Sequence, residues 1–220
     1  MSESLLLLDL DGTIIDSAGD LAAAASEMVT SFGGRALAED EVVTMVGEGA
    51  AVLVRRALYA AGVDPETTGA LPRFLEIYDR RLLETTVAYE GIAEALHLAM
   101  RRWRLAVLTN KPLAPSRRIL TALGLLSHFD AVIGGDSGLG RKPDPTGLLS
   151  LVRDARQVVL VGDSPVDWET TLAAGCTFVW ARYGFGASRF AERPDTPYIL
   201  DHASELTAIL DRLTPLASFA

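Results

Sequence analysis

The sequence predicts an α/β fold: a doubly wound, Rossmann-like parallel-sheet core domain with an inserted all-helical cap domain. Short apolar segments recur along the chain, and helical segments alternate with them, which is typical of such a sheet. One long stretch after the first of these segments contains helices only. The chain has 220 residues, of which 49% are apolar or aromatic, so it is long enough to bury a sizeable core.

The predicted strands are short apolar runs that end in Gly, Asp, Ser or Thr. Runs without polar alternation are typical of strands that are buried on both faces, as in a parallel sheet. They are Leu5–Leu10, Leu105–Leu108, Ala131–Ile133, Val158–Val161 and Thr177–Trp180.

Helical patterns separate these strands and continue to the end of the chain. Gly124 and Gly175 stand where two of the helices are expected to stop, because glycine readily adopts the left-handed conformation that ends a helix. The predicted core helices are Ile92–Arg101, Pro115–Leu123, Thr146–Val152, Val166–Ala174 and Ala203–Leu213.

The stretch from residue 17 to about 88 contains only helical patterns. Leu53, Ala57, Leu58 and Ala61, for example, form one apolar stripe at helical spacing. We therefore expect a helical cap at residues 16–88, inserted into a core formed by residues 1–15 and 89–220. Its predicted helices are Gly19–Phe32, Glu39–Met45, Ala50–Ala61 and Leu71–Thr85.

Composition and charge restrict the class of protein. The 29 acidic and 20 basic side chains give a net charge of −9, which argues against binding to nucleic acid or to an anionic membrane surface. No apolar run is long enough to span a membrane, and residues 1–4 lack the basic region of a signal peptide. A single cysteine, Cys176, excludes an intrachain disulfide. We expect a cytoplasmic protein, and no feature of the sequence indicates an oligomeric state.

Four carboxylates are predicted at one edge of the sheet. The first strand delivers Asp9 and Asp11, which as alternate residues of an extended strand are expected to project the same way. Asp163 and Asp167 follow the Val158–Val161 strand. Ligands of open α/β sheets bind beyond the carboxyl ends of the strands. Carboxylates held this close repel one another unless a cation lies between them, and such oxygen-rich sites suit Mg²⁺. The sequence thus predicts a magnesium site.

The two lysines are unusual, because the other 18 basic residues are arginines. Lys111 and Lys142 both lie in loops at strand ends, and the only asparagine, Asn110, lies beside Lys111. Lysine carries a compact charge that can approach a phosphoryl oxygen closely. We expect Lys142 to be functional, whereas for Lys111 a site role and a loop charge both stay open.

Four segments resemble the motifs of the haloacid dehalogenase superfamily of aspartate-nucleophile phosphatases, in the order of that family. They are Leu8–Thr13, Leu108–Asn110, Lys142–Pro143 and Gly162–Ser164 with Asp167. More narrowly, five further segments resemble the phosphoglycolate phosphatase branch. They are Thr109–Pro112, Gly134–Asp136, Arg141–Pro145, Val46–Ala50 and Leu53–Leu58.

The resemblance implies Mg²⁺-dependent hydrolysis of a small phosphate monoester. Asp9 is then the nucleophile, which forms an aspartyl phosphate, and Asp11 is the general acid and base. The ligands of Mg²⁺ are the Asp9 carboxylate, the Asp11 backbone carbonyl and Asp163, with Asp167 acting through water or as a support.

The resemblance also implies residues that bind the substrate. Thr109 and Asn110 donate hydrogen bonds to the phosphoryl group, and Lys142 neutralises its charge. The helical cap closes over the site, and the loop from Gly47 to Gly49 reaches into it. Arg55 or Arg56 is a hypothetical contact for an anionic leaving group; the alternative is an exposed helix face.

Two other functions stay open at this point. A phosphosugar mutase of the same superfamily shares Asp9, Asp11 and the cap, although Thr13 replaces the valine usual in those mutases and favours a phosphatase. A catalytically silent binding or regulatory protein on this fold is the other alternative. The cap contains no lysine, which excludes the phosphonate-cleaving branch, and the metal-type carboxylates Asp11 and Asp163 argue against dehalogenation.

Overall fold

A computed structural model of the chain describes residues 4–190 and 194–213. The outer ends of the predicted core domain, residues 1–3 and 214–220, lie outside the described residues, and so does most of the segment 1–4 whose composition was considered above.

The centre of the fold is a parallel sheet of six strands. They are β1 (Ser4–Leu8), β4 (Trp103–Leu108), β5 (Ala131–Ile133), β6 (Val158–Gly162), β7 (Thr177–Ala181) and β8 (Ile199–Leu200). Their order in the sheet is β5-β4-β1-β6-β7-β8. Strand β1 lies inside this sheet, paired with β4 on one side and β6 on the other, so its residues are buried throughout.

Two further strands, β2 (Ile15–Asp16) and β3 (Val87–Ala88), pair antiparallel where the chain leaves the sheet region and returns to it. The four helices between them are α1 (Ala18–Ser31), α2 (Glu39–Val43), α3 (Ala50–Ala60) and α4 (Ala70–Arg81). The helices associated with the sheet are α5 (Ile92–Ala99), α6 (Leu113–Ala122), α7 (Thr146–Val152), α8 (Pro165–Ala174) and α9 (Leu206–Leu213).

Alternate side chains of β1 enter two different hydrophobic clusters, as the pleat of a strand requires. Leu6 and Leu8 belong to a large cluster that includes residues of α5, α6 and α9. Leu5 and Leu7 belong to a smaller one, which includes Leu148 of α7. Helices therefore cover both faces of the sheet, which confirms the predicted Rossmann-like α/β fold.

Helices α1 to α4 have a hydrophobic cluster of their own. Met28, Leu58, Phe74 and Ile77 are at most 1% exposed within it. Helices α1 to α4 therefore pack on one another between β2 and β3, where the helical cap is expected, while the cap domain and its boundaries at residues 15/16 and 88/89 stay a prediction.

The observed element bounds differ from the predicted ones in two informative places. The first strand ends at Leu8 rather than Leu10, because the chain leaves the ladder ahead of Gly12, whose φ is +82°. Helix α4 ends at Arg81 rather than Thr85, and Leu83 has a φ of +74°, which no α-helix contains.

Other differences are smaller. The last predicted helix is a 3₁₀ turn, Ala203–Glu205, followed by α9. The short strands β2, β3 and β8 were not predicted. Within residues 4–190 and 194–213, no helix has both the length and the apolar character needed to cross a membrane.

Candidate active site

The polar residues that follow β1, β4 and β6 meet beyond the carboxyl ends of these strands, as the doubly wound topology requires. Asn110, after β4, joins three parts of the site. Its side-chain amide donates one hydrogen bond to the carbonyl of Gly47 (3.0 Å) in the helical unit and another to the carbonyl of Lys142 (2.9 Å). Asn110 thus ties the helical unit to the core beside the site.

Lys142 lies among buried acids. Its ammonium group lies 2.8 Å from Asp9 Oδ1 and 2.6 Å from Asp167 Oδ1, and its side chain is 1% exposed. Oxygens of Asp9, Asp163 and Asp167 lie within 4.8 Å of one another. The structure therefore brings together four of the residues that the sequence predicted at the site.

Burial and mutual repulsion change the acidity of this cluster. Burial, with the neighbouring charge of Asp167, raises the pKa of Asp9 to about 7 against the opposing effect of Lys142. Burial and the charges of Asp167 and Asp9 also raise the pKa of Asp163 well above its ordinary value. Burial alone lowers the pKa of Lys142, but the carboxylates of Asp167 and Asp9 outweigh it and raise that pKa. One ammonium group thus faces three carboxylates.

The oxygens of these acids fit a divalent cation. Asp167 uses both of its oxygens, one on Lys142 and the other on the backbone N–H and hydroxyl of Ser164. Asp163 accepts a backbone hydrogen bond from Gly186 (2.8 Å), and among the described residues it has no ion pair. Asp9 and Asp163 therefore offer hard, buried oxygen donors of the kind that Mg²⁺ prefers, with too little positive charge around them.

The backbone near Asp163 leaves no room for side chains. A Cβ atom on Gly12 would lie 2.3 Å from Asp163 Oδ2, and Gly12 has a φ of +82°. A Cβ atom on Gly184 would lie 2.2 Å from the carbonyl oxygen of Gly12. Glycine at both positions allows the two loops to close around the Asp163 carboxylate.

Asp11 is at the same edge of the sheet, but its carboxylate is not part of the three-acid cluster. It accepts hydrogen bonds from Lys111 Nζ (2.9 and 3.1 Å) and from the Ser17 hydroxyl (2.6 Å). The expectation that Asp9 and Asp11 project together as alternate residues of a strand does not apply, because β1 has ended at Leu8. Of the groups of Asp11, the backbone carbonyl is the one expected to bind the metal, alongside the carboxylates of Asp9 and Asp163.

Lys111 is a site residue rather than a loop charge on the surface. Its side chain is 5% exposed, and besides Asp11 it donates a hydrogen bond to the hydroxyl of Tyr78 on α4 (2.6 Å). The sequence left open whether Lys111 belongs to the site, and it did not indicate Tyr78. The rarity of lysine in the chain pointed to Lys111. Tyr78 lies on the apolar stripe of its helix, next to residues that only pack, so its pattern indicates packing.

Thr109 and Asn110 are buried at the end of β4, 4% and 5% exposed. The hydroxyl oxygen of Thr109 accepts a hydrogen bond from the backbone N–H of Lys111 (3.2 Å), which leaves its hydrogen free to donate. Their predicted role as donors to a phosphoryl group stays a prediction.

The two cap arginines lie apart from this site. Arg55 forms an ion pair with Glu66 (3.0 Å), and its side chain is 65% exposed. Arg56 pairs with Glu48 (2.6 Å) and donates to the carbonyl of Met45. The structure does not bring either of them to the residues around Asp9.

A cavity of about 60 Å³ lies between the helical unit and the strand ends. Asp9, Asp11 and Lys111 contribute charged groups to its lining. The remaining lining residues from the helical unit and the core include Leu21, Val46, Gly47, Gly49, Ala50, Leu53, Phe74, Leu75, Tyr78, Thr109, Asn110, Pro112 and Pro115. The predicted loop from Gly47 to Gly49 therefore does border the site.

A doubly wound parallel sheet with a buried acid–lysine cluster beyond its strand ends is typical of the active site of an α/β enzyme. The family model described as "Haloacid dehalogenase-like hydrolase" matches residues 6–181. The chain belongs to this family of haloacid dehalogenase-like hydrolases.

Several relatives are similar over most of their length. The phosphoglycolate phosphatase of Cereibacter sphaeroides (strain ATCC 17029 / ATH 2.4.9) is 37% identical over 214 residues, which cover 94% of this chain and 98% of that protein. The phosphoglycolate phosphatase of Rhodospirillum rubrum is 40% identical over 192 residues, which cover 82% and 80%.

The fold of the chain is also similar to that of a solved structure. The crystal structure of a predicted phosphoglycolate phosphatase from Haemophilus somnus 129pt superposes with a TM-score of 0.84 at 28% identity. The match covers 96% of this chain and 99% of that one. Sheet and helical unit therefore both have counterparts in a solved structure.

Proposed function

We propose that this enzyme, a phosphoric monoester hydrolase, removes phosphate from 2-phosphoglycolate or a similarly small anionic phosphate monoester. The named relatives at 37% and 40% identity support this substrate class, since both are phosphoglycolate phosphatases. The single observation that carries the proposal is the buried ion pair between Asp9 and Lys142 at the end of β1, bordered by Asp163.

The proposed reaction begins with attack by the Asp9 carboxylate on phosphorus. A carboxylate oxygen of Asp9 forms the new bond, the ester oxygen leaves, and an aspartyl phosphate results. Lys142, held by Asp167, neutralises charge on the phosphoryl oxygens, and the Thr109 hydroxyl is the proposed side-chain donor to them. Because the carbonyls of Gly47 and Lys142 take both amide hydrogens of Asn110, its proposed contribution is the backbone N–H. Asp167 is thus a positioning residue, since both of its oxygens hold other groups of the site.

Asp11 is the proposed general acid and base. In the first step the carboxylic acid form of Asp11 gives its proton to the leaving alkoxide and becomes a carboxylate. In the second step this carboxylate takes a proton from the water that hydrolyses the aspartyl phosphate, which restores the acid form. The Asp11 carboxylate borders the cavity, separate from the three-acid cluster. It can therefore exchange a proton with the leaving group while Asp9 attacks phosphorus.

Mg²⁺ is the proposed cofactor, held by the carboxylates of Asp9 and Asp163 and the backbone carbonyl of Asp11. When bound, it offsets the repulsion between the anionic nucleophile and the anionic phosphoester. Asp163 supports this proposal because it is buried with a raised pKa and has no ion pair among the described residues.

The proposed setting is cytoplasmic, and the proposed partner is the small-molecule phosphoester rather than nucleic acid. The net charge of −9 supports the second point.

Phosphate release from a panel of esters tests the proposal. We expect turnover of 2-phosphoglycolate with Mg²⁺ and its loss with EDTA, because the acid cluster lacks positive charge without the metal. Asp9→Asn should abolish turnover, whereas Asp130→Asn, which changes an exposed acid of the core, should not. Turnover that survives EDTA would contradict the metal assignment, and turnover that survives Asp9→Asn would contradict the nucleophile.

A further inference from the structure

Lys111 and Tyr78 form a polar pair across the cavity. Lys111 follows β4 in the core, and Tyr78 lies on α4 of the helical unit. The Lys111 ammonium donates to the Tyr78 hydroxyl oxygen (2.6 Å) and to both oxygens of Asp11. Both residues are buried, at 7% and 5% exposed, and both line the cavity. The pair is therefore a contact between helical unit and core next to the proposed acid.

The cavity wall around this pair is apolar on the side of the helical unit. Leu21, Val46, Leu53 and Phe74 lie there, and such side chains cannot replace the water around a charged group. Among the described lining residues, Lys111 is the one cation. An anionic group that enters this part of the cavity thus has one place to bind.

Arginines near the helical unit do not offer an alternative. Arg56 and Arg189 both bind Glu48, and Arg189 also donates to the carbonyl of Val46. Arg55 pairs with Glu66 on an exposed face. None of these three arginines belongs to the cavity lining, whereas Lys111 does.

The pair retains capacity to bind an anion. The Lys111 ammonium directs two of its three donors to the same carboxylate, that of Asp11, so an entering carboxylate can take over one of these two contacts. Tyr78 accepts a hydrogen bond from Lys111, and within the described residues its hydroxyl hydrogen has no acceptor. That hydrogen is available to a ligand.

We propose that Lys111 and Tyr78 bind the carboxylate of the substrate's leaving group, and so determine specificity for acidic phosphoesters. The inference rests on the proposed function. The Lys111 ammonium is then shared between Asp11 and the ligand's carboxylate, and the Tyr78 hydroxyl donates to the same carboxylate. The cavity that both residues line lies beside Asp9 and Asp11, so a carboxylate one methylene away from the ester oxygen can reach the pair.

Binding to a variant without the nucleophile tests this directly. In the full-length Asp9→Asn protein with Mg²⁺, calorimetry compares 2-phosphoglycolate with ethyl phosphate, which has a methyl group in place of the carboxylate. We expect the acidic ester to bind about 10- to 100-fold more tightly, as for a hydrogen-bonded charge pair. Adding Lys111→Met should reduce this preference to about 1, and adding Tyr78→Phe should reduce it several-fold.

Two features keep the test decisive. Tyr78→Phe retains the ring that stacks on Phe74, so it tests the hydroxyl even where Lys111→Met does not fold. Arg55→Ala removes an exposed cation of the helical unit and should leave the preference unchanged.

The outcomes separate this inference from the proposed function. An equal loss of affinity for both esters, or a preference that survives both substitutions, overturns the assignment of Lys111 and Tyr78. A preference that behaves as expected, in a protein whose native Asp9 form hydrolyses neither ester, supports the carboxylate site and overturns the proposed function.

Discussion

At the scale of residues, the two lysines of the chain have matching environments. Lys142 bridges Asp9 and Asp167, and Lys111 bridges Asp11 and Tyr78. A compact ammonium group with three donors can bind several oxygens at such short range, whereas the planar fork of arginine requires more space. Lys142 thus binds Asp9, the proposed nucleophile, and Lys111 binds Asp11, the proposed general acid and base.

Replacing Lys142 should destabilise the protein as well as inactivate it. Lys142→Met leaves the buried carboxylates of Asp9 and Asp167 without a counter-charge, which costs about 3–5 kcal/mol for a broken buried pair. Urea unfolding with EDTA present measures the change in the free energy of unfolding.

Arg73→Met is the matched control, because it removes an exposed cation that pairs with Glu76 on the same helix. That change should cost at most about 0.5 kcal/mol. A loss for Lys142→Met as small as for Arg73→Met contradicts the buried-pair interpretation.

Residue identity could be predicted where the chemistry is visible in the sequence. The carboxylates at strand ends and the rare lysines indicated Asp9, Asp163, Asp167 and Lys142, which the structure brings together. Tyr78 could not be predicted, because its partner is 33 positions away and its own helix only indicates packing.

At the scale of elements, one side chain joins the start of α1 to the segment that follows α4. Asp20 accepts hydrogen bonds from the backbone N–H groups of Leu83 (3.0 Å), Thr85 (2.8 Å) and Thr86 (3.1 Å) and from the hydroxyls of both threonines. These bonds hold residues 83–86 in a non-helical path, which explains why α4 ends at Arg81.

The acidity of Asp20 follows from these bonds. Burial opposes its ionisation, but the hydrogen bonds from Thr86 and Thr85 outweigh burial and lower the pKa below the ordinary 3.8. A group with a depressed pKa in the folded chain contributes stability above its unfolded pKa, and that stability is lost as pH falls through the folded pKa.

Asp20→Asn should therefore lower the free energy of unfolding by about 3 kcal/mol at pH 7, because several donors lose a charged acceptor. The difference from the native chain should be constant above about pH 5 and should shrink as pH falls below 3.8. Chemical unfolding across this pH range measures it, with the exposed acid substitution Asp79→Asn as control. If the difference in the free energy of unfolding does not change with pH, the ionised Asp20 carboxylate is not what holds residues 83–86.

Element boundaries could be predicted where local signals decide them. The bounds of Ala131–Ile133 and Thr146–Val152 agree with the sequence pattern, and the other predicted strands and helices differ at their ends. The two-residue strands β2, β3 and β8 have no pattern of their own, since pairing with a distant segment creates them. The end of α4 likewise depends on Asp20, some 60 positions earlier.

At the scale of the whole molecule, the helical unit closes over the strand ends through polar contacts near the cavity. Asn110 binds the Gly47 carbonyl, Lys111 binds Tyr78, and Arg189 binds the Val46 carbonyl. Closure of a helical unit over an active site generally excludes water and strengthens the electrostatic interactions inside it. The sequence predicted the helical cap and its loop, but not which side chains make these contacts.

Part of the net charge of −9 is located at the candidate site. Three of the acids are concentrated in a buried cluster that one lysine does not neutralise. Part of the acidity of the chain is thus explained by the proposed need for a divalent cation, rather than by the character of its surface.

Trapping the phosphoenzyme shows whether Asp9 carries the phosphoryl group during turnover. The protein is mixed with 2-phosphoglycolate and Mg²⁺, quenched in acid, digested and analysed by mass spectrometry. We predict one phosphoryl group on the peptide that contains Asp9, none in Asp9→Asn, and discharge of the trapped species by water rather than by a sugar phosphate. Turnover without a phosphoryl group on the Asp9 peptide would contradict the assignment of Asp9 as the nucleophile. Transfer of the phosphoryl group to a sugar phosphate would instead identify a mutase.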